Sequence, residues 1–184
     1  NQFGASAIYE WDSSNHRINT SAPVPIHMQS ASSVVVFQWQ GLTMIGLSSD
    51  DAAGQNPAKI FRIVNGTGGV HAVLFQSLGW LVQTSDLVNC ELEGRPYLVF
   101  ARRTSHQSPI LTVDPDGAEF FVVDTLPVSA VTSLDFFQST STTSAGADRV
   151  STYLVVKQHD AETMMFRWNG QTFLGETTVA THPV

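Results

Sequence analysis

The chain reads as an all-β repeat protein, a partial β-propeller of four-stranded antiparallel blades. Three observations carry that class. Short apolar runs rich in Val, Ile, Phe, Tyr and Thr alternate with Gly, Asp, Asn and Ser, and no i, i+3, i+4 apolar pattern continues for the length of a helix. One strand recurs: Ala7-Ile8-Tyr9-Glu10-Trp11-Asp12, Lys59-Ile60-Phe61-Arg62-Ile63, Pro109-Ile110-Leu111-Thr112-Val113-Asp114 and Met164-Met165-Phe166-Arg167-Trp168-Asn169-Gly170. It places Trp11, Ile63, Val113 and Trp168 at intervals of roughly 50 residues, the period of a propeller blade. A second landmark keeps step with it, with Thr43, Tyr97 and Tyr153 in the runs Leu42–Leu47, Pro96–Phe100 and Thr152–Val156.

The elements follow in order. A first partial unit has strands at 7–11 and 15–19. The next has strands at 33–39, 42–48, 59–64 and 70–76, and the third at 86–92, 96–102, 110–114 and 119–124. The last runs through 133–138, 151–158, 163–168 and 172–176. Gln40-Gly41, Glu93-Gly94 and Asn169-Gly170 are hairpin-turn signals, because Gly tolerates the left-handed backbone that tight turns need. Longer connections are expected at 48–58 and 140–150, the second reading as a flexible insertion through Ser144-Ala145-Gly146. The units divide as 1–30, the end of one blade, then 31–80, 81–126 and 127–184. Three and a half blades fall short of the roughly four to eight that close a ring. Missing blades are therefore expected from a longer chain or from a partner chain. The apolar blade faces expected at the open ends are Ile8 with Trp11 on one side and Phe166 with Trp168 and Phe173 on the other.

Composition narrows the function. Across 184 residues the charged fraction is 14%, below the usual quarter, and Ser, Thr, Gln and Asn do the solvating instead. A net charge of −7 with no basic stripe argues against a nucleic-acid partner. No segment is apolar for the roughly 18 residues a membrane-spanning helix requires. Cys90 is the single cysteine, so no disulfide forms within the chain. It reads as a small buried hydrophobe, with a nucleophile or an interchain pair as the functional alternative. Asn19-Thr20-Ser21 and Asn65-Gly66-Thr67 are N-glycosylation triplets in predicted loops, consistent with secretion.

With these residues in view, the chain resembles the epilepsy-associated repeat (EAR, or EPTP) family. The closest copy of its unit is Tyr153-Leu154-Val155-Val156 followed by Met165-Phe166-Arg167-Trp168-Asn169-Gly170 and Phe173. Tyr97-Leu98-Val99-Phe100 and Tyr9-Glu10-Trp11 are partial copies, while Ile63 and Val113 replace the Trp in the middle units. The resemblance implies about half of a seven-bladed propeller, in a secreted protein or receptor ectodomain, acting in protein–protein adhesion. It also implies an acidic residue facing the central channel, where calcium can bind. Asp86 fits that place, with Ser33 and Ser133 at the matching positions of the other units. One carboxylate does not make a calcium site, which needs several oxygens, and a solvated strand-end Asp is the plainer alternative. No other cofactor is implied.

Linear motifs for catalysis are missing. The six histidines lie apart, without zinc-binding spacing, and there is no G-x-S-x-G. Asp114-Pro115-Asp116-Gly117 falls at the hairpin position of Asn169-Gly170, so it is a turn rather than a calcium loop. The expected function is therefore a non-catalytic extracellular recognition or adhesion module for a protein partner. The alternatives are a propeller-type hydrolase with a loop-built site, and a structural unit that completes another chain's ring.

Overall fold

In a computed structural model the backbone is described for residues 6–67, 69–142 and 148–179. Over these described residues it is all-β, with fourteen strands and no helix. The strands are β1 (Ser6–Asp12), β2 (Arg17–Ile26), β3 (Ala31–Trp39), β4 (Leu42–Ser49), β5 (Ala58–Gly66), β6 (Gly69–Leu78) and β7 (Thr84–Leu92). They continue with β8 (Arg95–Arg102), β9 (Ser108–Val113), β10 (Phe120–Leu126), β11 (Val131–Thr142), β12 (Asp148–Gln158), β13 (Thr163–Trp168) and β14 (Phe173–Val179). Each predicted strand is found. They form one two-stranded sheet, β1-β2, and three four-stranded meanders, β3–β6, β7–β10 and β11–β14, in each of which sequence neighbours pair. Among the described residues no sheet closes on itself. The chain divides into two compact units, 1–83 and 84–184.

The three meanders share a register. Their first and second strands slip at one place: between Ala31 and Ser33, Thr84 and Asp86, and Val131 and Ser133. Their third and fourth strands slip again, between Ile60 and Phe61, between Met165 and Phe166, and opposite Val122 and Asp124 of β10. A bulge changes which residue faces which side, so recurrent bulges fix the equivalences. Aligned on them, Met44, Tyr97 and Tyr153 correspond, facing Arg62, Thr112 and Arg167. Ile63, Val113 and Trp168 then correspond as expected, but Thr43 does not match Tyr97; Met44, one residue on, takes that place. Trp11 lies opposite Ile18 as Trp168 lies opposite Phe173, so β1 and β2 are the third and fourth strands of the same unit.

Local chemistry recurs with the register. Ser30, Gln83 and Ala130 each hold a left-handed φ, 56°, 56° and 49°, just before the first strand of a meander. Gln40-Gly41 and Glu93-Gly94 have positive φ at both positions, the type I′ hairpin geometry. The turn after the third strand is closed by a side-chain oxygen: Asp12 accepts the amides of Ser14 and Asn15, Asp114 those of Ala118 and Glu119, and Asn169 those of Gln171 and Thr172. The Asp114 segment is thus a hairpin turn, as its repeat position indicates.

Three boundaries differ from expectation. β2 runs on to Ile26 through Pro23 and Pro25, tolerable because β2 pairs on one side only. β11 and β12 extend to Thr142 and Asp148, so most of the expected 140–150 insertion is a Ser/Thr-rich ribbon, and Ser144-Ala145-Gly146 lie outside the described residues. Asn19 and Asn65 lie in β2 and β5, not in loops.

Candidate protein-binding face

The site is built from the second unit. The core of 84–184 joins two meanders face to face. Cys90, Tyr97, Val99, Ala101 and Ile110 of β7–β10 pack with Leu134, Leu154, Val156, Phe166 and Phe173 of β11–β14, and Leu126 and Val128 complete the cluster. Trp168 sets its edge against Tyr97, ring centroids 5.3 Å apart at 63°, and tilts against Phe173 at 5.2 Å. The expected open-end trio Phe166, Trp168 and Phe173 is therefore turned inward. Strand alternation explains the correction: Phe166 and Trp168 share one face of β13, while Met165 and Arg167 take the other.

Polar groups hold the first strands of the two meanders, β7 and β11, together. Ser85 Oγ donates to the Val131 carbonyl at 2.6 Å. Asp86 Oδ1 accepts the Leu87 amide and Oδ2 the Leu134 amide, each at 2.8 Å. The carboxylate proposed as a calcium ligand thus ties the bulge of β7 to the bulge of β11. Among the described residues no group of three or more His, Cys, Asp or Glu side chains is placed to hold a metal. At the other end of the sheets the Thr172 hydroxyl donates to Asp124.

The opposite face of β11–β14 carries a cross-strand row, Phe137–Tyr153–Arg167–Leu174. Phe137 and Tyr153 stack with centroids 5.1 Å apart and planes at 17°. Arg167 Nη1 pairs with Glu176 Oε1 at 3.1 Å. Beside the row a cleft of about 330 Å³ is lined by Arg149, Ser151, Arg167, Asn169, Leu174 and Glu176. The same row one meander earlier is Cys90–Tyr97–Thr112–Phe121; its first three members are covered, while Phe121, the equivalent of Leu174, is exposed. Cys90 is 3% exposed and Phe137, its equivalent, 42%.

Burial dominates the chemistry of the covered row. It pushes the Cys90 thiol up to about 12 and raises the Tyr97 hydroxyl above its ordinary value. Cys90 is therefore a core residue with negligible thiolate at neutral pH, not a poised nucleophile. Of the remaining signature residues, Leu98 is fully buried, Tyr9 is half-exposed on β1, and the side chain of Trp11 lies outside the described residues. Asn65 is exposed beside the β5–β6 turn and Asn19 is partly buried within β2, so Asn65 is the more exposed of the two triplet asparagines. Phe137 and Leu174 carry no motif. What singles them out is the register, which aligns Phe137 with Cys90.

No family and no curated protein matches the chain.

Proposed function

We propose that the chain is a non-catalytic protein-recognition or adhesion module, a part of a β-propeller built from EAR-like repeats and working outside the cell. Its protein-binding surface is the outward row of β11–β14. The observation that supports this is the pairing of one row in two states over its first three positions: covered at Cys90–Tyr97–Thr112, open at Phe137–Tyr153–Arg167, with Leu174 exposed at its end. Aromatic and Arg side chains with an apolar neighbour are the composition that dominates protein interfaces. The adjoining Arg149, Arg167 and Glu176 supply polar specificity at its rim. The proposal requires no cofactor.

The test is binding of the fluorescently labelled protein to a panel of cell surfaces and matrix proteins. Phe137→Asp with Leu174→Asp is expected to lower that binding at least tenfold while the protein melts as the parent does. Equal binding by parent and double variant overturns the assignment of this face.

A further inference from the structure

The outer strands of the first unit leave a cleft where those of the second unit are sealed. The register makes Ile8, Val24, His71 and Ala72 the counterparts of Ile110, Asp124, Thr172 and Phe173. Ile8 lies opposite Val24 as Ile110 lies opposite Asp124, and Ala72 opposite Ile63 as Phe173 lies opposite Trp168. In the second unit these residues close the space. The Thr172 hydroxyl donates to Asp124, and Phe173, 5% exposed, joins the core that holds Ile110 at 1%. In the first unit Val24 has no side-chain acceptor for His71, and Ala72 is a methyl where Phe173 is a ring.

The result is a cleft of about 810 Å³ between β1, β2 and β6, within the size range of small-molecule sites. Ile8 and Ala72 are only partly buried along it. Strand pairing widens it. Residues 20–23 of β2 stand between the partners of Glu10 and Ile8, with Tyr9 alone across from them. At the same place β6, β10 and β14 each carry a single extra residue, Phe75, Val123 and Glu176. Bulges re-aim side chains, and Tyr9 and Pro23 both line the cleft.

Its chemistry is one-sided. Ile8, Val24 and Ala72 give an apolar wall, while Tyr9, His27 and His71 bring hydroxyl and imidazole donors. No acidic residue lines it, although the chain carries a net charge of −7. Lys59 Nζ donates to the His27 carbonyl at 2.9 Å, which sets an ammonium at that end.

We propose that this cleft binds a free aromatic carboxylate. Two differences at matched positions set the choice: a ring lost at Ala72 and a carboxylate lost at Val24. The ligand supplies both. Its ring takes the space that Phe173 fills in the second unit, against Ile8 and Ala72, and its carboxylate accepts hydrogen bonds from His27 and His71. The inference goes beyond recognition of a protein partner and depends neither on the β11–β14 face nor on an extracellular location.

3-Phenylpropionate is the probe, titrated into the full chain while the methyl signals of Ile8 and Ala72 are followed by NMR. Saturable shifts of both are expected, with a Kd of order millimolar for so small a ligand. 3-Phenylpropionamide keeps the ring and loses the charge, and it should bind about tenfold more weakly. Ala72→Phe returns the ring from within the chain; it should abolish the Ile8 shift and raise the Tm. Two further variants are read independently of that one. Val24→Asp restores the acid found at Asp124, and it should weaken the carboxylate about tenfold while leaving the amide unchanged. His27→Ala with His71→Ala alters two exposed side chains, and it should erase the preference for acid over amide without lowering the Tm. Unshifted methyls overturn the proposal, and so do equal affinities of the parent for acid and amide, or acid binding that survives Ala72→Phe. A peptide with an internal Phe-Asp that binds where the free acid does not overturns it in favour of a protein segment.

Discussion

β7–β10 and β11–β14 are the same meander with one face treated in opposite ways. Both slip register at the same two places, and both set an aromatic at the same point of the second strand, Tyr97 and Tyr153. On β7–β10 the row is sealed by the next meander at Cys90, Tyr97 and Thr112, and beside the aromatic its sealed members are small, the Thr112 hydroxyl donating to the Pro96 carbonyl at 2.8 Å; Phe121 at the end of the row stays exposed. On β11–β14 the row is open, and its members are large or charged: Phe137, Arg167 and Leu174. Close packing against a neighbouring sheet favours small residues beside a large one. An uncovered face has no such limit and can offer side chains for recognition. The contrast teaches that a repeat position dictates which way a side chain points. Whether it is covered is decided by what lies next to the sheet.

The comparison breaks most severely if the sealed face is emptied. Leu154 is fully buried between the two meanders, and Leu154→Ala is expected to destabilise the protein by about 2–5 kcal/mol through lost transfer energy and the cavity left behind. Urea unfolding measures it, and a change below about 1 kcal/mol would show that the two sheets are not closely packed. Asp86→Ala comes next. It removes the acceptor of the Leu134 amide at a partly buried junction, which is expected to cost about 1–3 kcal/mol. Asp135→Ala removes a bond of similar length from an exposed residue to the following amide of Phe136, so the same measurement should give much less. Equal costs would mean that the tie between the bulges contributes nothing particular.

A smaller effect, a loss of stability that shows only in alkaline solution, comes from Cys90. Its folded pKa is raised to about 12 by burial, above the ordinary thiol value of 9.0. A group raised on folding stabilises the fold fully below its unfolded pKa. That stability is therefore present at pH 7 and lost progressively as pH rises from about 9 toward 12. Cys90→Ala should flatten this alkaline loss, seen as a smaller fall in Tm between pH 8 and pH 10. At pH 7 the native thiol should react with a thiol reagent only as fast as the protein opens, and fast labelling of the folded protein would contradict its burial.

All fourteen strands were legible in the sequence because each is a short β-rich run between turn residues, and Gln40-Gly41, Glu93-Gly94 and Asp114-Pro115-Asp116-Gly117 carry their turn chemistry on their face. Ends were less legible. The second strand is expected over 15–19, yet β2 runs on through Pro23 and Pro25, because a strand edge without a paired neighbour needs no amide there. The run Ser139–Thr142 looked like a loop, whereas opposite Asp148–Ser151 it continues a two-stranded ribbon. The mismatch of Thr43 with Tyr97 arose within the apolar run Leu42–Leu47, where nothing but the ladder distinguishes neighbours; Met44, opposite Phe37 and Arg62, is the true equivalent. The proposed binding face was the least legible part. Phe166, Trp168 and Phe173 stand out as aromatics in a motif and are turned inward, while Phe137 stands in no motif and is turned out. Direction depends on strand parity counted from a bulge, and bulges leave no composition signal.

The smallest expected effect on stability is the most informative about function. Phe137→Ala removes a stacked aromatic from an open face. It is 42% exposed, so the loss should stay near the cross-strand aromatic contribution of about 0.5–1 kcal/mol, well below that of Leu154→Ala. If a protein partner covers the row as β11–β14 covers Tyr97, the same substitution should cost about 2 kcal/mol or more in binding, because an aromatic anchor is worth most once water is excluded around it. Paired measurements on one variant, urea unfolding and partner titration, separate the two. A large loss of stability with unchanged binding would make Phe137 a core residue and leave the row without a recognition role. A small loss of stability with a large loss of binding is what the open row predicts. Arg167→Met should then fall between Phe137→Ala and the parent in binding, since it keeps the aliphatic stem beside Tyr153 and loses only the pairing with Glu176.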